Sequence, residues 1–178
     1  MSHRNKTICF IYTDTIGLHN TTDNVSTKNL YNFARLSGIY YSIGIINNIE
    51  NKYIENKYVS NIIKPNTIYY EDMDLAKKNG IEDNIIIQNL KDSLKSVDII
   101  ISCDISHHLK AIQVECFRTA ISIDFAKYIL IDTLTFGKEN QKLSLQNNIN
   151  YKNNISHEKL NNIKNIFILL NNINNNIN

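Results

Sequence analysis

Read from the N-terminus, the chain first turns apolar at 7–13 (TICFIYT), a β-branched and aromatic run between polar flanks that predicts a buried central strand. The stretch 14–37 is polar, with Gly17 and several Asn and Thr, and predicts a loop holding one short helical turn at 28–35. A second apolar run at 38–46 (GIYYSIGII) ends in Asn47-Asn48, and 57–64 (KYVSNIIK) follows at the distance of a strand partner, so a hairpin is expected. Pro65 and Asn66 end the third strand, and two helical segments follow at 73–79 and 83–96, separated by Gly80. In the second of these, Ile86, Leu90, Leu94 and Val97 recur at helical spacing and give one apolar face.

A buried strand is expected at 97–102 (VDIIIS). After it comes a helix at 105–120, with Leu109, Ile112, Cys116 and Ala120 on one stripe and Ser106 placed to cap its start. A short strand at 127–131 (KYILI) is closed by Asp132 and Thr133, and beyond Phe136 the chain is Asn-rich up to a last helical pattern at 156–170, whose inward face is Leu160, Ile163, Phe167 and Leu170. The order β-β-β-α-β-α-β-α calls for a mixed sheet with helices on both faces. The expected organisation is one domain over 1–170 and a low-complexity Asn/Ile tail at 171–178.

Composition narrows the function classes. A chain of 178 residues is long enough to bury a core of its own, and a net charge of +2 gives no overall field to draw it onto nucleic acid or anionic lipid, so any nucleic-acid contact must be local. Cys9, Cys103 and Cys116 form an odd set without a CxxC pair, which fits neither a disulfide framework nor a zinc knuckle; reduced thiols in an intracellular compartment, cytoplasmic or nuclear, are expected. The N-terminus lacks the long apolar core of a secretory signal, and Asn, Lys or Asp interrupts every Ile-rich run, so a soluble protein without a membrane partner is expected. Heavy use of Asn, Ile, Lys and Tyr, with one Pro and no Trp, looks like an AT-rich coding bias and blunts propensity arguments.

Four local patterns, in order, carry a resemblance. The first strand ends in Phe10-Ile11-Tyr12-Thr13-Asp14-Thr15-Ile16-Gly17-Leu18, and the later strand-to-helix corner reads Cys103-Asp104-Ile105-Ser106-His107-His108, followed by Ile112, Glu115 and Arg118. Ile131-Asp132-Thr133-Leu134 closes the last strand, and Ile166-Phe167 with Leu170 sits in the last helix; Ile62-Lys64-Pro65 and 76–80 fall between them. Together these resemble the DnaQ-type (DEDD) 3′-5′ exonucleases, whose motifs run roughly FxDTETTGL, HNxxFDxxxLxxExxR, a fifth strand ending in Asp-Thr, and HxAxxD. The likeness spans about residues 7–170 and implies an RNase H-like fold: a mixed five-stranded sheet with helices on both faces.

The resemblance also implies chemistry, in which paired Mg²⁺ or Mn²⁺ ions about 3.5–4 Å apart activate a water and stabilise the leaving oxygen. Such hard cations want convergent carboxylates. Carried over position by position, the family's first Asp falls on Tyr12, the Glu two residues later on Asp14, and the middle Asp on His108, with Cys103 and Asp104 before it. The closing His and Asp fall on Asn153 or Asn154 and on Glu158 or Lys159. Asp14 and Glu158 alone carry too little negative charge for two hydrated ions. The leading expectation is therefore a degenerate exonuclease-fold protein without catalysis that binds single-stranded nucleic acid, 3′ ends in particular, or a protein partner. The alternative is an active Mg²⁺- or Mn²⁺-dependent 3′-5′ exonuclease using Asp14, Asp104 and Glu158 with His157 as base, its metal held by Asp14, His108 and Glu158. A third reading is a structural protein that forms homo-oligomers through an exposed strand edge or the Asn/Ile tail.

Each residue has a plainer reading too. Asp14 before Thr15 and Gly17 suits a turn. His107, His108 and Cys103 invite zinc, yet adjacent histidines do not easily face one ion. His157 and Glu158 suit a helix start. Tyr12 could stack a base or sit in the core, while Lys91, Lys95, Lys110 and Arg118 could contact phosphates or be ordinary helix surface. Cys9 and Cys116 lie on apolar faces and read as inert core thiols.

Overall fold

Apolar residues on both faces make the first strand the centre of the sheet: in β1 (Thr7–Ile16), Ile8, Cys9, Phe10 and Ile11 are all buried. A computed structural model describes residues 6–17, 23–47, 52–64, 80–136, 158, 160–165 and 167–168. β2 (Arg35–Asn47) and β3 (Lys52–Ile62) form an antiparallel hairpin, and α1 (Asp83–Leu94) leads into β4 (Ile99–Ser102), which lies parallel to β1. α2 (Ile105–Thr119) then returns the chain to β5 (Ile129–Asp132), parallel to β4, and one helical turn, α3 (Thr133–Phe136), follows. The strand order β3-β2-β1-β4-β5, with one hairpin and two parallel crossovers, is that of an RNase H-like α/β fold.

The sheet separates two apolar layers. On one face Ile87, Leu90 and Leu94 of α1 and Leu109, Ile112 and Cys116 of α2 pack on Cys9, Ile11, Tyr41 and Ile100. On the other, Leu160, Ile163 and Phe167 cover Ile8, Phe10, Tyr40 and Ile101. Each large side chain buried this way contributes roughly 1.5–3 kcal/mol. Residues 160–165 are helical, as the 156–170 pattern predicts, while Leu170, the tail at 171–178 and the helix expected at 73–79 lie outside the described residues.

Several expected boundaries move. β1 runs on to Ile16, so Asp14 sits in a strand opposite Gly38 rather than in a turn. The helical turn expected at 28–35 contracts to the 3-10 turn Leu30–Asn32, because β2 already begins at Arg35. β3 starts at Lys52, five residues before the apolar run, since ladder pairing with β2 continues past the point where apolar side chains stop. Val97 ends the turn before β4, and Lys127 closes the 3-10 turn Phe125–Lys127 rather than opening β5. Ser106 does not cap α2: the N-cap is Asp104, with φ 59° and ψ 56°. That left-handed conformation is one that Asp and Asn tolerate better than most residues.

A β-bulge interrupts the hairpin. Ile43 pairs with Lys57 and Gly44 with Glu55, which leaves Asn56 as an extra residue on β3. A Cβ on Gly44 would lie 2.0 Å from the Ile54 carbonyl oxygen, so only glycine permits this close approach. The extra residue resets the alternation of β3, and Tyr53 and Tyr58 both pack on the layer around Phe10 and Tyr40. Among the described residues, no helix is long and apolar enough to cross a membrane.

Candidate functional site

β1 and β4 pair only over Ile8–Phe10 and Ile99–Ile101, and beyond these residues the ladder opens. β1 has an antiparallel neighbour on one side and a parallel one on the other, and in open α/β sheets ligand clefts lie at the strand ends where the order reverses in this way. Side chains stitch the opening. Ser102 Oγ donates to the Ile11 carbonyl at 2.7 Å, and the Thr13 N–H donates to His108 Nδ1 at 3.2 Å, with Thr13 Oγ1 2.8 Å from the same nitrogen.

His108 comes from the first turn of α2 and is buried. A backbone amide only donates, so Nδ1 acts as acceptor and the neutral ring carries its proton on Nε2. Burial, with His107 adding to it, pushes the His108 pKa down to about 4, against the opposing pull of Asp104, a Cys103 backbone bond and Asp14. Near neutral pH the ring is therefore uncharged. The Tyr12 ring lies 4.8 Å from it and 6.4 Å from that of Tyr40, its cross-strand partner, and the His107 ring meets His108 edge-on at 5.5 Å. Tyr40 in turn lies across Gly38, whose missing side chain leaves room for the ring beside Asp14.

The carboxylates near this corner have largely structural work. Asp132 Oδ1 accepts from the Asp104 and Leu134 amides at 3.0 Å each, and its Oδ2 accepts from the Ile105 amide at 3.3 Å. It thereby satisfies main-chain donors at the start of both α2 and α3. Asp104 is exposed at the left-handed N-cap, half-buried Asp14 is on β1, and Glu158 is exposed at the far helical segment. His157 lies outside the described residues. Among the described residues no three His, Cys, Asp or Glu side chains are grouped so as to hold a metal ion. The side-chain donors at the opening are one carboxylate, Asp14, a phenol, and an imidazole already bonded to Thr13, and this set does not fit a pair of hard divalent cations. His107, His108 and Cys103 likewise do not assemble as a zinc site.

The basic residues do not form one surface with Tyr12. Tyr12 packs on the layer of Phe10 and Tyr40, whereas α1, with half-exposed Lys91 and with Lys95 just beyond its end, lies on the opposite face. Lys95 pairs with Asp92 at 2.8 Å. Lys110, half-exposed on α2, lines an open groove of about 620 Å³ with Gln113, Phe117 and Ile121. Arg118 is committed to the fold: its Nη1 pairs with Glu115 at 2.7 Å and its Nη2 donates to the Leu30 carbonyl at 3.0 Å. Glu115 Oε1 also accepts from Arg35 Nε and the Leu36 amide, tying α2 to the start of β2. Its Oε2 is buried without a hydrogen-bond partner among the described residues.

Sequence reasoning located Tyr12, Asp14 and His108 at this corner and missed the bracing roles of Thr13, Ser102 and Asp132. The one available signal was the Asp-Thr pair that closes the last strand. In comparison with known proteins, the chain matches no protein-family model and no curated sequence. The order and direction of its strands give it the RNase H-like α/β fold class.

Proposed function

We propose that the chain is a binding module on an RNase H-like sheet, without hydrolysis by paired divalent cations, that engages the 3′ end of a single-stranded nucleic acid or a protein partner at the opening between β1 and β4. One observation supports this above the others: the position aligned with a family carboxylate holds His108, buried, uncharged and hydrogen-bonded to Thr13, with Tyr12 against it. A cluster of carboxylates repels a phosphodiester until metal ions neutralise it, whereas a phenol and a neutral imidazole beside the single carboxylate of Asp14 repel it far less. An aromatic face at that place is suited to stacking a base.

The test is a labelled single strand incubated with the full chain and Mn²⁺, with binding measured in parallel in EDTA. The expected outcome is an intact strand, bound without divalent metal, with an affinity that falls as salt rises and drops on Tyr12→Ala. An intact strand that is not bound at low salt moves the proposal to a protein partner. Shortening from the 3′ end, abolished by Asp14→Asn, would instead establish the exonuclease reading with Asp14, Asp104, Glu158 and His157.

Self-association through the β3 edge has less support, because a bulge together with Lys52, Glu55 and Lys57 is the kind of feature by which edge strands avoid pairing. The opposite edge, β5, exposes Ile129 and Leu130 but is only four residues long.

A further inference from the structure

We propose that the helical segment at 160–165 is a separable cover over one face of the sheet, held in a single register by a lysine socket that the β3 bulge builds. Lys164 is 11% exposed, and its Nζ donates to Glu55 Oε2 at 2.5 Å while lying 5.6 Å from the ring centre of Tyr53 and 5.8 Å from that of Tyr58. A carboxylate with two aromatic rings is a receptor for an ammonium group, by charge and by cation–π attraction. The socket is organised from within the hairpin: Ser42 Oγ bonds both Glu55 and the Tyr53 hydroxyl, the latter at 2.9 Å, so acid and ring are positioned by β2 and β3 themselves.

The bulge makes this convergence possible. In a regular strand, residues three apart, such as Glu55 and Tyr58, point to opposite faces. With Asn56 inserted between them, Glu55 and Tyr58 reach the same lysine on one face. Gly44, where a side chain would strike the Ile54 carbonyl, allows the insertion.

The rest of the attachment is apolar. Leu160, Ile163 and Phe167 lie on Ile8, Phe10, Tyr40 and Ile101, with the Phe167 ring 5.7 Å from that of Phe10. Apolar contact is non-directional and leaves the helix several ways to settle, while a single ammonium in a single socket selects one. The covered face is the one on which Tyr12 partly packs, so lifting the segment uncovers the apolar side of the candidate site. Elements held by few contacts open locally at a lower free energy than the whole domain.

Hydrogen exchange on the full chain tests the cover, using Lys164→Met, which keeps the stem and removes the charge, and the milder Glu55→Gln. Both are expected to speed exchange at the amides of 160–165 by about tenfold or more while β1 and β4 keep their protection. Exchanging the charges, Lys164→Glu with Glu55→Lys, should restore part of the loss. Unchanged rates in both single variants would mean that the apolar stripe alone sets the docking. An equal rise across 160–165, β1 and β4 would mean that the segment opens only with the whole domain. Either result overturns the proposal.

Discussion

The residue with the largest consequence is His108. Its folded pKa lies below the ordinary histidine value, so protonation favours the unfolded chain. The stability this ring contributes is complete above about pH 6.5 and is lost as the pH falls toward about 4; the full effect is on the order of 3 kcal/mol. Urea unfolding at pH 7 and at pH 4.5 should show a larger fall in midpoint for the native chain than for His108→Asn, and parallel falls would remove His108 from the account. The identity of this residue was legible in the sequence as an imidazole at the position where the resemblance implied a carboxylate. Its bond to Thr13 was not, because the pairing depends on where β1 and β4 part, which is a property of the ladder and not of either segment. Asp104 shows the reverse: as a letter it reads like a displaced ligand, and its left-handed backbone gives it a simpler reason to be Asp.

Elements with a dense apolar pattern were the most legible. α1 and α2 lie within a residue or two of the spans that their 3.6-residue stripes predict, because each buries that stripe on the sheet. The first half of β3 was invisible because its side chains are mostly exposed, so no period-two alternation marks it and only pairing with β2 makes it a strand. The bulge was equally hidden, since Gly44 inside an apolar run gives no hint of which partner residue is extra. Gly44→Ala is therefore an informative substitution. Its methyl would meet main chain rather than a movable side chain, and the expected cost is about 1–3 kcal/mol or more, read as a lowered denaturant midpoint. A neutral result would show that the hairpin can shed its bulge without penalty.

At the scale of the whole molecule, the mixed sheet and its two apolar layers follow from the succession of elements and were expected from the sequence, whereas the order of the strands within the sheet comes from the structure. Thiol chemistry reports how tightly the layers close. Cys9 is fully buried on β1, and burial also pushes its thiol pKa up; the same cause takes Cys116 up to about 11. In native buffer Cys9 should react with a thiol reagent only as fast as the domain unfolds globally, with Cys103, half-buried at the corner, reacting first. Rapid labelling of Cys9 would show that the α1–α2 layer opens by itself. β1 acts as a party wall between two rooms: Ile8, Phe10 and Tyr12 furnish the side toward the C-terminal helical segment, Cys9, Ile11 and Thr13 the side toward α1 and α2. From Ile8 to Ile11 a lesion in that wall is felt first in one room or the other according to whether its number is even or odd, and at Tyr12, whose ring also meets His108 of α2, the two rooms share a door.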